Sequence, residues 1–186
     1  MDIAREFERV LPAAQAGQPW ALESIWRAHA GRVVGYLRVQ GADDPDGLTS
    51  EVFLGAFRTI GGFHGDEAAF RSWLFTIAHR RLLDERRRRA RRPTEPLADA
   101  HHQLASGRGG GADEGALRNL QVERIRALCE RLLPDQRDIL LLRIVGGLTV
   151  EEVSARVGKS VGAVKQQQRR GLDALRAILE REGVTL

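Results

Sequence analysis

Apolar residues recur at three- and four-residue spacings along most of the chain, and no stretch alternates long enough to predict a strand. Leu22, Ile25, Trp26, His29, Val33, Tyr36 and Leu37 predict a helix that begins near Pro19. After the turn QGADDPDG, Leu48, Val52, Phe53, Ala56, Phe57 and Ile60 predict a second helix, ending at Gly61-Gly62. The loop GGFHGDE leads into the longest helix, whose inward stripe is Phe70, Trp73, Leu74, Ile77, Ala78, Leu82 and Leu83. Its last turns, RRRRARR, carry no apolar stripe and must project into solvent or onto an anion. No element is assigned before Pro19.

The period stops between Arg92 and Ala116. That stretch contains Pro93, Pro96 and the run Gly109-Gly110-Gly111, and it is too long for a tight turn between helices. It reads as a flexible linker. Its pair His101 and His102 has no companion to complete a metal-ligand set.

Periodicity then resumes. Leu117, Leu120, Ile125, Leu128 and Leu132 predict one helix, and Pro134 opens another with Ile139, Leu140 and Leu142. Thr149 with Glu152 three residues on is a capping box for a short helix through Val157. Gly158 suits the left-handed turn that ends it. Ser160 then caps a longer helix with Val161, Val164, Leu172, Leu175 and Leu179 inside. A short helix, a three-residue break and a longer helix make a helix-turn-helix. The fold expected is all-α, with helical domains over 1–92 and 117–186 and a flexible linker over 93–116.

Charge divides along the same boundaries. The 186 residues carry a formal net charge of only +4, with a pI near 10.1. Residues 1–70 are net −4 and residues 71–92 net +7. Lys159 and Lys165 are the only lysines among 29 basic residues. An acidic front beside an intensely basic helix suits a chain that meets a protein with one face and a polyanion with another. The single cysteine, Cys129, excludes an internal disulfide and every multi-cysteine zinc site, and its place among apolar residues reads as packing. With no secretory signal and no long apolar span, the expected location is cytoplasmic.

The chemistry is that of binding. From Val153 through Leu172 there is not one acid, while Arg156, Lys159, Lys165, Arg169 and Arg170 are present. Ala163 stands where a capping box would place a glutamate, so the amides behind Ser160 stay free for a phosphate. Gly162 and Ala163 permit close backbone approach, and Lys165, Gln166, Gln167 and Arg169 can reach base edges or phosphates in a major groove. Gln168, four residues after Val164, reads instead as a packing residue. In the first domain, His79, Arg80, Arg86 and Arg87 lie on the basic helix with Arg71 and Trp73, and Phe63 and His64 sit in the loop before it. Phe63 fits either of two places, the core or the face of an unpaired base. No HExxH, glycine-rich phosphate loop or nucleophile elbow occurs, so neither catalysis, nor a metal, nor a cofactor is expected.

Three stretches carry a resemblance: LTSEVFLGAFR, FRSWLFTIAHRRLLDERRRR and LPDQRDILLLRIVGGLTVEEVSARVGKSVGAVKQQQRRGLDAL. In order and spacing the chain resembles a bacterial RNA polymerase sigma factor of the sigma-70 family, extracytoplasmic function (ECF) class. The resemblance implies that Asp44, Asp46, Leu48, Glu51, Val52 and Phe53 face the polymerase. It implies that Phe63, His64, Arg71, Trp73, His79, Arg80, Arg86 and Arg87 meet the promoter minus-ten element. Arg156, Lys159, Ser160, Gly162, Ala163, Lys165, Gln166, Gln167, Arg169 and Arg170 would meet the minus-thirty-five element. The partners implied are core polymerase, promoter DNA and an anti-sigma protein, often membrane-anchored in similar systems. Departures from the family pattern fall at Gly47, Ser50, Arg80, Gln167 and Gln168. The alternatives are a stand-alone helix-turn-helix regulator, which has no use for an acidic docking helix, and a sigma-like scaffold without promoter activity.

Overall fold

A computed structural model describes the backbone of residues 3–91 and 112–183, and the side chains of residues 6–91 and 121–183. Of the span expected as a linker, residues 93–111 lie outside the described residues, His101 and His102 included, whereas 112–116 form the start of α5 and not linker. Every regular element described is helical: α1 (Ile3–Gln15), α2 (Pro19–Val39), α3 (Pro45–Thr59), a 3-10 turn (Ile60–Gly62), α4 (Glu67–Arg91), α5 (Ala112–Glu130), α6 (Pro134–Ile144), α7 (Val150–Val157) and α8 (Val161–Arg181).

Local chemistry sets the helix starts. Pro19, Pro45 and Pro134 each occupy the first turn, where a missing N–H costs nothing. The Asp44 carboxylate accepts from the Gly47 amide at 2.9 Å and so caps α3. Asp66 does the same for α4, accepting from Ala69 N at 2.8 Å. Thr149 and Glu152 form their reciprocal box on α7, Ser160 accepts from Ala163 N on α8, and Gly158 ends α7 at φ +68°.

Helix α1 has no counterpart among the expected elements. Phe7, Val10 and Ala14 bury one side of it, with the Phe7 ring 5.3 Å from that of Phe70. Pro12 lies inside it, exposed on the outer face, where water can take the carbonyl that a proline leaves without an amide. Gln15, in the last turn, donates to the carbonyls of Ile60 (3.2 Å) and Phe63 (2.7 Å) and so pins the loop before α4.

One continuous hydrophobic core runs through both halves of the chain. Helix α4 lies in the middle, with Phe70, Leu74, Phe75, Ala78 and Leu82 fully buried. Phe75 packs edge-on against Tyr36 of α2, and the turn after α6 approaches from the other side. A Cβ on Gly146 would lie 3.1 Å from the Phe75 Cβ, so the contact needs the glycine. His79, one turn along α4, is 2% exposed, with its Nδ1 2.8 Å from the Tyr36 hydroxyl. Within the second half, α8 closes on α6 where Gly171 meets Leu140 and Gln136. Leu172, expected inside, is 44% exposed because the α8 face that meets α6 runs through Val164, Gly171 and Ile178.

Burial pushes both His29 and His79 below the ordinary histidine value of 6.5. The unfolded chain therefore takes up protons first as pH falls, and the stability present above 6.5 declines below it. Each histidine can contribute a slope of at most about 1.4 kcal/mol per pH unit. Urea midpoints should be level from pH 8 to 7 and fall between 6.5 and 5, and His79→Gln, although less stable throughout, should show a shallower fall.

Candidate nucleic-acid interface

The polymerase-facing set divides in two. Leu48, Val52 and Phe53 are almost wholly buried and hold α3 in the core, so their side chains present nothing to a partner. The expectation that they form contact surface is corrected on that ground. The α3 face toward solvent is Ser50, Glu51, Leu54 and Arg58, and Leu54 is 57% exposed. Asp44 is engaged as a cap, and Asp46 pairs with Arg38 at 2.9 Å. Glu51 stays exposed, 3.9 Å from Arg81. The cap also accounts for Gly47, since a Cβ there would run into the Asp44 carboxylate.

Of the minus-ten set, Phe63, Trp73 and Arg80 line a surface cavity of about 730 Å³, together with Thr76 and Arg81. Phe63 falls between its two expected places. Half-buried, its ring lies 5.3 Å from Phe70 and 5.2 Å from Trp73, yet it also lines the open cavity. His64 is exposed, with Nδ1 3.1 Å from the Gly62 carbonyl. Arg80 and Arg87 are exposed, Arg87 within 3.3 Å of Asp84. Three others are engaged elsewhere. His79 is in the core against Tyr36, which corrects its expected role at the DNA surface. Arg71 pairs with Glu67 at 2.8 Å, and its guanidinium lies under Gly147. Arg86 donates to the backbone and side-chain oxygens of Gln40, both at 2.9 Å.

In the helix-turn-helix, Gly162, Lys165, Gln166, Arg169 and Arg170 are exposed along α8, and Ala163 and Gln167 are half-buried beside them. The two amides behind Ser160 carry no acid. Gln168 accepts from Arg143 of α6 at 3.3 Å, the packing role its position implied. Lys159 pairs with Asp135 at 2.9 Å. Arg156 turns away from α8 and joins the wall of the cavity around Phe63 and Trp73. Half-buried there, it is held below the ordinary arginine value by lost solvent and then by the neighbouring charge of Arg80. Among the described residues no group of His, Cys, Asp and Glu is placed to hold a metal ion.

An aromatic-lined cleft beside a basic helix, joined to a helix-turn-helix with an acid-free reading face, defines a DNA-binding transcription protein in two parts. Its sequence matches the Sigma-70 region 2 family over residues 25–92 and the Sigma-70 region 4 family over residues 122–175. The ECF RNA polymerase sigma factor BldN of Streptomyces coelicolor is 33% identical over 183 residues, covering 96% of this chain and 67% of that one. SigD of Mycobacterium tuberculosis is 30% identical over 91% of this chain and 82% of its own. Among solved structures, CnrH in complex with the cytosolic domain of CnrY superposes with a TM-score of 0.62 at 22% identity, covering 94% and 97% of the two chains. RpoE bound to the anti-sigma factor NepR, from Bartonella quintana, gives 0.54 at 20% identity over 95% of each. The chain belongs to the ECF sigma factors of the sigma-70 family: a non-catalytic protein that binds core RNA polymerase and directs it to promoters.

One expectation is corrected by these relatives. CnrH is held by the cytosolic domain of CnrY, so this fold occurs attached to one domain of a larger partner, and a plain cytoplasmic assignment does not stand. What holds is that among the described residues no helix is long and apolar enough to cross a membrane.

Gly47→Ala should cost about 1 kcal/mol of unfolding free energy by displacing the Asp44 cap. Urea unfolding read by circular dichroism measures it, and Asp44→Ala should cost a similar amount with no further loss in the double variant.

Proposed function

We propose that residues 1–92 dock on core polymerase and recognise and open the minus-ten element, that 117–186 read the minus-thirty-five element, and that 93–116 connect them. The order of the two family matches along one chain supports this division, which a stand-alone regulator would not need. The observation that carries it is the contrast between two surfaces. Helix α3 presents Glu51 and Leu54 to solvent, whereas α4 and α8 present arginines, a lysine and glutamines with aromatic support only at the α4 cleft. Unpaired bases can stack on Trp73 and Phe63, and Arg80 and Arg81 lie where a strand's phosphates would pass. On α8, Gln166 and Arg169 are in reach of base edges, and Lys165 and Arg170 in reach of phosphates.

Regulation by an anti-sigma protein belongs to the same reading. RpoE of this fold is bound by NepR and CnrH by a domain of CnrY, which supports a partner that covers both halves, membrane-anchored or free.

Two experiments test these assignments. Glu51→Arg combined with Leu54→Ser should weaken association with core polymerase at least tenfold in a pull-down and abolish run-off transcription while the helical signal stays unchanged; unchanged association would move docking off α3. Gln166→Ala or Arg169→Ala should change the ranking of single-base variants of the upstream element, by about 1–3 kcal/mol for each lost bidentate pair. Lys165→Ala should weaken all of them alike and reduce the salt slope by about one unit. An Arg169→Ala ranking parallel to the parent would make that residue an anchor.

A further inference from the structure

Helices α1 and α2 and the start of α4 leave a cavity of about 530 Å³ between them. Small-molecule sites typically measure about 300–1,000 Å³. The apolar lining is Phe7 and Val10 of α1 with Ile25 and Ala28 of α2. No lining residue is shared with the Phe63–Trp73 cleft. His29 of α2 also lines the cavity. Its ring is 3% exposed, and among the described residues its Nδ1 has no hydrogen-bond partner. A buried polar atom without a partner is costly, and native structures keep few of them.

The charges around this cavity are unevenly spent. Glu67 and Arg71 satisfy one another, with both carboxylate oxygens on one guanidinium nitrogen at 3.0 and 2.8 Å. Arg32 is exposed on the rim, and among the described residues no carboxylate pairs with it. Glu6 is the opposing charge, exposed on α1, where water and salt screen it. Burial holds the His29 imidazole below its ordinary value; Glu67 opposes this, and Arg32 and Arg71 add to it. The ring is therefore neutral, with one nitrogen to donate and one to accept.

We propose that this cavity binds a small organic carboxylate with an apolar ring or chain. The apolar body fills the space between Phe7, Val10 and Ile25, the carboxylate takes the Arg32 guanidinium, and the His29 ring supplies the buried polar atom. Guanidinium and carboxylate match in a planar two-bond geometry. A purely apolar ligand would leave Arg32 and His29 unused, and a cation would meet Arg32 while Glu67 is already spent on Arg71. The occupant also braces α1, which contributes Phe7 and Val10 and whose Gln15 holds the carbonyls of Ile60 and Phe63. Binding that requires these three helices to be packed raises the stability of the folded chain by mass action.

The test uses the full chain and three probes that share one apolar body and differ in charge: naphthalene-1-acetate, 1-naphthalenemethanol and 1-naphthylmethylammonium. Nuclear magnetic resonance reads the imidazole signals of His29, assigned with His29→Gln, and thermal unfolding reads stabilisation. Naphthalene-1-acetate should bind with a Kd of about 1 mM or tighter, as ordinary ligand efficiency gives for a molecule of its size. It should shift the His29 signals and raise the His29 pKa, because a bound anion favours the imidazolium, so binding should tighten from about pH 8 to pH 6. The alcohol should bind about 5-fold more weakly, and the ammonium more weakly still. Arg32→Gln should bring the acetate down to the affinity of the alcohol and leave the alcohol unchanged. Ala28→Trp should weaken all three by filling the space. Both positions are exposed, and circular dichroism checks that each variant is folded. Saturating acetate that leaves His29 unmoved, or affinity unchanged in folded Ala28→Trp, overturns the site. Equal affinity for acetate and alcohol, or tighter binding of the ammonium, overturns the carboxylate assignment.

Discussion

Helix α4 is buried along two sides, and that double burial governs the rest of the molecule. Helices α1 to α3 hold one side through Phe70, Leu74 and Ala78, and the turn between α6 and α7 reaches the other through Phe75. Truncating one such phenylalanine costs about 3–5 kcal/mol in a typical core, so the contact of the two halves is part of the stability of each. The same burial fixes what remains available. Only the strip with Arg80, Arg87 and the final arginine turns is fully open, together with the Trp73–Phe63 cleft. A helix with arginines on every side of its last turns thereby keeps one open basic face.

The polar groups at the seam divide into permanent and exchangeable. The Tyr36–His79 hydrogen bond lies within the first half, and burial keeps the tyrosine protonated and disfavours protonation of the imidazole, so it persists whether or not the halves part. Gln40 is different. Its amide is satisfied on one side by Arg86 from its own half and on the other by Asp138 from the opposite half. Buried amides left without partners are costly, which makes the closed form self-consistent, but opening brings water to that same amide. Seam specificity therefore comes from polar geometry, while the continuous apolar core, with α5 packed on α2, holds the halves together.

Much of this was legible in the sequence. The cap residues Thr149, Glu152 and Ser160, the Gly158 stop and the Pro134 start act as their chemistry predicts, because a cap depends only on residues three or four apart. Burial of Gln168 followed from its position four residues after Val164. Failures came where distant residues decide. Leu48, Val52 and Phe53 belong both to the apolar stripe and to the motif that suggested docking, and the stripe prevails, leaving Glu51 and Leu54 outside. His79 reads as a member of a basic run until Tyr36, 43 residues away, claims it. Helix α1 could have been found from Phe7, Val10 and Ala14 at helical spacing, but Pro12 and the acids Glu6 and Glu8 in its first turns obscured it. Asp138 gave no signal at all: it is one acid in the polar start of α6, and its partner Gln40 is 98 residues distant.

The closed seam also bears on the second half, by way of anchors and not readers. Arg156 leaves the helix-turn-helix to share a cavity with Arg80, and Lys159 is paired with Asp135. These are the two cations that flank the start of α8, where phosphates would steady the helix in a groove. The residues suited to base edges, Gln166 and Arg169, keep their exposure. The closed chain thus retains a reading face with part of its electrostatic footing withdrawn. Each phosphate contact contributes about 0.9 to the salt slope on duplex DNA, and sequence-independent affinity comes mostly from such contacts. A face that can discriminate bases but is poorly anchored scans DNA weakly on its own.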